Sequence, residues 1–506
     1  MLFNSPVFLL GFLPAALAGF AACGRWGGRW GGRWGEARAA GWFLILASLL
    51  FYGWWNPAFL PLLGASVGGN YAAARAIARA PDRARTPLLL GAIGADLGAL
   101  IYFKYLADLL GVVGLHMGHP ALPLGISFFT FTQIGYLVDL RAGTARPEGP
   151  RDYLLFATFF PHLIAGPILH HREIMPQFAD AATWRLAPEN LVAGGSIFVI
   201  GLCKKVLLAD PLAPLVAAGF GHAAWLPALP AWAAAGAYSL QLYLDFSGYS
   251  DMAIGLARMF NLRFPLNFDA PYKAGSVIEY WQRWHMTLTR YLTLLLFNPL
   301  ALAATRRRAR RGRAVGRAGQ ATPGGFAAMV AGPILLTMTL AGVWHGSGWT
   351  FIVFGLLHGV YLVINHAWRL WGPRRKLPGR VALTYLAVLA GAVVFRAPSL
   401  TVAGRMLADM AGAHGPGWPV LEGARAWLRA ARMAAWLGGL YAIVWLAPTT
   451  QQIMRAVEPA LGAVRAGPWP RLAWRCSAPW AVTMGGAAAL AALALGGTSE
   501  FLYFRF

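Results

Sequence analysis

The sequence predicts an all-α, polytopic integral membrane bundle of about a dozen membrane helices, and three observations carry that reading. Of 506 residues, 58% are hydrophobic and 12% charged, against roughly 45–50% and about 25% in a soluble globular chain. Apolar runs recur along the chain at the length needed to cross a hydrocarbon core of about 30 Å. Finally, 43 Lys+Arg against 19 Asp+Glu leave a net charge of +24, and the basic residues gather in short loops, as they do on the cytoplasmic side of membrane proteins. The lipid bilayer is therefore the expected partner of the surface, and no nucleic-acid role is expected. With 22 Trp and 29 Phe the chain has too much to bury to stay disordered. Cys23, Cys203 and Cys476 lack the spacing of a disulfide framework or a zinc knuckle.

Residues 3–23 are apolar, with no basic residue before them and Arg25, Arg29 and Arg33 after. A cleaved signal peptide carries its charge first, so this reads as a first transmembrane helix with its N-terminus outside. The tract from Arg25 to Trp34 repeats Arg-Trp-Gly-Gly, a composition suited to an anionic, cytoplasm-facing interface. A second apolar stretch, 41–69, is followed by Arg75, Arg79, Arg83 and Arg85. Two basic loops flanking a single span contradict the positive-inside bias. A break at Asn56-Pro57 removes the conflict, because proline lacks a backbone donor and restricts the residue before it. Two short, tilted or re-entrant helices result.

Further apolar segments run at about 88–113, 121–140, 153–169, 191–219, 226–244, 291–304, 325–344, 348–366, 381–396, 433–447 and 479–497. The clusters Arg306–Arg313 and Arg369–Arg380, the latter including Arg374, Arg375 and Lys376, are expected in the cytoplasm. The segment between them must cross out and back, which places a turn at Trp344-His345-Gly346 away from the cytoplasmic ends. Residues 417–432 mix Trp, Leu and Arg and read as interfacial. The organisation is a transmembrane core over 1–370 and C-terminal transmembrane helices with an interfacial segment over 371–506, with no separate soluble domain.

Ionisable groups inside apolar segments cost roughly 2.5–3.5 kcal/mol each on insertion scales and raise the question of function. His345 lies in Val343-Trp344-His345-Gly346-Ser347-Gly348, where apolar neighbours favour the neutral imidazole that accepts a proton. On spacing alone, a hydrogen-bonded core histidine fits as well as a general base. His285 follows Arg283-Trp284, and Trp281, Trp284, His285 and Leu288 fall on one helical face. That pattern favours an interfacial helix. Asp245, Ser247, Tyr249 and Asp251 bring carboxylates and hydroxyls to the end of an apolar run, to orient a histidine or bind a sugar, or to cap helices at a break around Gly248. His162, His170, His171, His358 and His366 show no HExxH or similar spacing, so no metal is expected. No P-loop, GxSxG or GxGxxG occurs, against an ATPase, a serine hydrolase or a dinucleotide enzyme.

In order along the chain, Pro123-Leu124-Gly125-Ile126-Ser127-Phe128-Phe129, Phe160-Pro161-His162-Leu163-Ile164-Ala165-Gly166-Pro167-Ile168, Asp245-Phe246-Ser247-Gly248-Tyr249-Ser250-Asp251, Arg283-Trp284-His285 and Trp344-His345-Gly346 resemble the membrane-bound O-acyltransferase (MBOAT) family. They look most like its bacterial branch of alginate O-acetylation membrane proteins. The resemblance covers residues 1–370 and returns at Glu500–Phe506. It implies an MBOAT-like bundle with a central funnel or tunnel, and transfer of an acyl group from a cytoplasmic donor to an acceptor at or beyond the outer face. It assigns catalysis to His345, as general base, and to His285. Arg283, Trp284, Trp344, Asp245, Ser247, Tyr249 and Asp251 would bind substrate or donor. It implies no bound cofactor, acetyl-CoA as donor substrate, a polysaccharide acceptor, a periplasmic acyltransferase partner and a place in the bacterial inner membrane. D-alanyl transfer to a cell-wall polymer and a non-enzymatic transporter are the alternatives. One stretch departs from the branch: after Arg290 the chain reads Tyr291-Leu292-Thr293-Leu294-Leu295-Leu296-Phe297-Asn298-Pro299-Leu300 in place of an Arg-Asp-Tyr-Leu-Tyr-Ile-Pro-Leu-Gly-Gly type of segment.

Overall fold

The computed structural model describes residues 1–115, 117–221, 225–373, 377–417, 424–495 and Leu502, without the side chains of 27–31, 33, 34, 36, 424–426 and 429. Arg374, Arg375, Lys376, most of the Arg-Trp-Gly-Gly side chains and the closing segment apart from Leu502 therefore lie outside the described residues. Within them every regular element is helical, and the single extended pairing is a bridge between Pro265 and Leu461.

Among the described residues, six helical stretches are long and apolar enough to cross a membrane: Val7–Trp26, Asp82–Lys104, Pro188–Gly221, Met286–Arg310, Pro323–His345 and Trp349–Trp371. Ala37–Gly53, Ala430–Leu446 and Ala478–Leu493 are shorter apolar helices. Other expected segments form helices below spanning length, such as Ile126–Arg141 with 16 residues and Arg380–Arg396 with 17. Ala228–Met259 has 32 residues but carries Asp245, Asp251 and Arg258.

The chain divides into two compact units. The first comprises residues 1–207, 246–266 and 448–505. Its first long helix, Leu13–Gly53, runs through the basic repeat and kinks at Gly32, whose φ of 57° is open to glycine. The expected break follows: Asn56 accepts a hydrogen bond from the Ala58 amide at 3.0 Å, Pro57 opens a short helix, and Leu60–Arg79 continues. Leu60–Arg79 and Asp82–Lys104 are tied by a buried bond from Asn70 Nδ2 to Asp96 Oδ1, 2.8 Å. Phe3, Phe8, Phe51 and Phe160 form an aromatic core.

No helix break occurs around Gly248, because Ala228–Met259 runs on unbroken. The glycines there serve close packing instead. A Cβ on Gly248 would lie 2.8 Å from the Gly201 carbonyl oxygen, and one on Gly255 2.6 Å from that of Gly194. Small residues let the two helix backbones approach where lipid supplies no hydrophobic drive.

The second unit comprises residues 208–245 and 267–447. Its centre is the hairpin of Pro323–His345 and Trp349–Trp371. A Cβ on Gly342 would meet the Phe351 carbonyl oxygen at 2.3 Å, and one on Gly355 that of Met338 at 2.3 Å. At the far end Phe326 packs on Trp371, whose Nε1 donates to the Ala321 carbonyl at 3.1 Å. The chain thus turns back at Gly346 between two helices, each long and apolar enough to cross a membrane. Of the expected interfacial segment 417–432, residues 418–423 lie outside the described residues, and 424–432 open the helix Ala424–Leu446, whose apolar part starts at Ala430.

Candidate functional site

His285 and His345 both lie in the second unit, and aromatic packing connects them. His345 is the last residue of the Gly332–His345 helix and is buried. Its ring lies edge-on to Trp344, Phe354 and Phe395 at centroid distances of 4.8, 6.1 and 5.1 Å. Gly346 follows in extended backbone and ends the helix there. One helical turn past Phe354, His358 packs on it at 4.6 Å and accepts a hydrogen bond from Trp281 Nε1 at 3.2 Å. Tyr280, beside Trp281, stacks on Trp284 at 5.7 Å. Trp284 packs edge-on against Phe268, which stacks on His285.

The expected helical face through Trp281, Trp284, His285 and Leu288 does not form. Val277–Trp281 is a short helix capped by Ser276, and Met286–Leu292 starts anew after His285, which takes φ 41° and ψ 53°. Asn267 causes the re-start. Its Oδ1 accepts from the Thr287 amide at 3.3 Å and the Thr287 hydroxyl at 2.9 Å, and it lies 3.0 Å from His285 Nδ1. A backbone N–H can only donate, so the amide oxygen faces it, and His285 Nδ1 must carry the proton that completes the contact. Nε2 then holds the lone pair. Two backbone bonds fasten this segment, from the Asp269 amide to Arg283 O and from the Met286 amide to Asn267 O, each 2.9 Å. Left-handed backbone at a non-glycine residue stores strain, which here aims the imidazole.

Arg283 pairs with Glu279 one turn earlier and donates to the Asp269 carbonyl at 3.4 Å. Among the described residues, Glu279 lines a cavity of about 710 Å³ with Tyr361, Asn365, Trp368, Arg369 and Arg380. Trp284 and Trp344 are both buried in the aromatic packing. Asp245 is buried near the middle of the Ala228–Met259 helix, on the stretch belonging to the second unit.

Ser247, Tyr249 and Asp251 belong to the first unit. Asp251 is held by Lys204 Nζ at 2.7 Å, Thr450 Oγ1 at 2.6 Å and Gln451 Nε2 at 2.8 Å, which are the partners a carboxylate needs in an apolar interior. Tyr249 stacks on Phe3 at 4.8 Å. Ser247 is buried, with no hydrogen-bond partner for Oγ among the described residues. Sequence reasoning passed over Asn267, whose surroundings show no periodic signal. It weighed His358 only as a metal ligand, although an ionisable group in an apolar helix was signal enough.

The family model described as MBOAT, membrane-bound O-acyltransferase family, matches residues 123–315, a stretch that includes His285 and stops before His345. A peptidoglycan O-acetyltransferase of Helicobacter pylori is 37% identical over 454 residues, covering 82% of this chain and 80% of its own length. A probable alginate O-acetylase, AlgI, of Azotobacter vinelandii is 37% identical over 431 residues, covering 81% and 78%. A teichoic acid D-alanyltransferase of Streptococcus thermophilus is 28% identical over 250 residues, 48% of this chain and 57% of its own. With such relatives along four-fifths of its length, this chain belongs to the membrane-bound O-acyltransferase family and is an acyltransferase of a multi-pass membrane type.

Proposed function

We propose that the protein is an inner-membrane O-acetyltransferase that moves acetyl from acetyl-CoA to hydroxyls of an exported or cell-surface polysaccharide. The observation that carries this reading is the aromatic packing around His345 and His285, two imidazoles in a dry, rigid setting. In this mechanism one ring nitrogen of His345 takes the acceptor hydroxyl proton as the oxygen bonds to the thioester carbonyl carbon. The tetrahedral oxyanion collapses, the C–S bond breaks, and the imidazolium returns the proton to the departing thiolate. An ester and free CoA thiol result. Arg283 or His285 helps hold the donor or the developing oxyanion, and exclusion of water limits thioester hydrolysis.

Arg369 and Arg380 in the 710 Å³ cavity supply the cationic forks that suit a donor's phosphates, and Glu279, which lines that cavity, pairs with Arg283, two residues before His285 in the chain. Acetyl is preferred to D-alanyl because the relatives named for acetyl transfer match four-fifths of the chain and those named for D-alanyl transfer about half. A periplasmic acyltransferase partner that completes the transfer is part of the proposal. Mass spectrometry of cell-envelope glycans with and without this chain tests it. Loss of O-acetyl groups is expected, whereas loss of D-alanyl esters with acetylation unchanged would sink the acetyl reading.

A further inference from the structure

In the first unit, Asp139 at the end of the Ile126–Arg141 helix meets His170 and His171 at the start of the His171–Ala179 helix. His170 Nε2 lies 2.8 Å and His171 Nδ1 3.4 Å from Asp139 Oδ2, and the three ligand atoms fall within 4.8 Å of one another. The other groups facing the carboxylate occupy Oδ1: the Thr144 hydroxyl donates to it at 3.1 Å, and the half-exposed Arg172 guanidinium stands 3.8 Å away. Oδ2 is left to the histidines.

The second observation is the state of His171. Its side chain is 6% exposed, and Nδ1, turned toward Oδ2, has no hydrogen-bond partner. The ring also bonds to the Thr144 backbone, whose amide is taken up by the Asp139 carbonyl at 2.9 Å, so the Thr144 carbonyl accepts from the other ring nitrogen and in the neutral imidazole Nδ1 carries a lone pair. That places two lone pairs, one on a carboxylate, face to face beside a buried imidazole, with Asp139 and His170 partly exposed. A cation between them would satisfy both.

We infer that Asp139, His170 and His171 bind a divalent transition-metal ion, for which two imidazoles and one carboxylate are a matched ligand set and Zn²⁺ the suitable probe. The outer contacts fit as well: Thr144 fixes the carboxylate through Oδ1 and its carbonyl fixes the His171 tautomer, the supports that metal-bound groups require. His170 Nδ1 accepts the Arg172 amide at 3.4 Å. Binding moves the His170 proton from Nε2 to Nδ1 and gives up that long contact. The ion clamps the end of one helix to the start of the next, and a fourth position is left to water. The ligands come from two helices, so no spacing in the sequence announces them.

The test uses the full chain, without a polyhistidine tag, purified in detergent. After chelation and desalting, Zn²⁺ is added back, and bound metal is counted by mass spectrometry while thermal unfolding is followed. About one Zn²⁺ per chain and a rise in Tm with Zn²⁺ concentration are expected. Asp139→Asn and His171→Ala should each lose both effects, and Co²⁺ should give a visible absorption band in the parent chain alone. Absence of stoichiometric metal and of any Tm shift in the parent chain, or full metal content in both variants, overturns the site. The parent-chain measurement stands even if a variant fails to fold, and none of these readouts depends on acyl transfer.

Discussion

His345 and His285 differ in what holds them. His345 has an aromatic enclosure, so truncation to Ala removes the proposed base and leaves the surrounding rings to keep the fold. Acyl transfer at equal protein abundance is expected to fall about 10²–10⁴-fold. His345→Gln keeps hydrogen bonding but takes no proton at neutral pH and should be nearly as inactive. Activity near the parental level in the Gln variant would show that the ring only packs. His285 is fastened by Asn267, and there position and stability are coupled. Asn267→Ala orphans the Thr287 amide and hydroxyl, at about 1–3 kcal/mol for each buried donor left unpaired. Lower thermal stability together with lower turnover is therefore expected, whereas His285→Ala should lower turnover with insertion retained; acetyl transfer and membrane abundance measured side by side distinguish them. Arg283→Ala strips Glu279 and Asp269 of a partner and is expected to cost abundance as well as activity.

At the scale of elements, glycines set the packing. Gly342 is pressed against the Phe351 carbonyl, where an added Cβ would sit at 2.3 Å, while the nearest atom to a Cβ on Gly348 is 3.6 Å away. Gly342→Ala should separate the hairpin helices and destabilise by about 1–3 kcal/mol, as overpacking does, and Gly348→Ala should be neutral. Thermal unfolding in detergent measures both. Equal stability of the two variants would contradict the close approach. The stretch after Arg290 lies in the helical run Met286–Arg310, which is long and apolar enough to cross a membrane. Its run of leucines suits lipid, and Leu294 and Leu302 are exposed accordingly.

For the whole molecule the expectation concerns orientation. Short basic loops resist translocation, so cysteines placed at Arg310 and Arg369, with Cys23, Cys203 and Cys476 replaced by Ser, should react with an impermeant maleimide only after cells are opened. Labelling of either position in intact cells would reverse the topology.

The sequence by itself determined the membrane-helical class, the break at Asn56-Pro57, the turn between helices at Trp344-His345-Gly346 and the family motifs. Each of these is written locally, in apolar run length, proline chemistry and loop charge, which act over one helix or one turn. The tertiary structure decided what depends on partners distant in the chain. Asn267 turns His285 out of the helix that its own neighbours predict. Lys204, Thr450 and Gln451 take up Asp251, and Gly194 and Gly201 make Gly248 and Gly255 packing residues in a helix that never breaks. A buried polar group takes whatever partner the fold delivers, because leaving it unpaired costs more than bending the chain toward it. Local patterning carries no record of that choice.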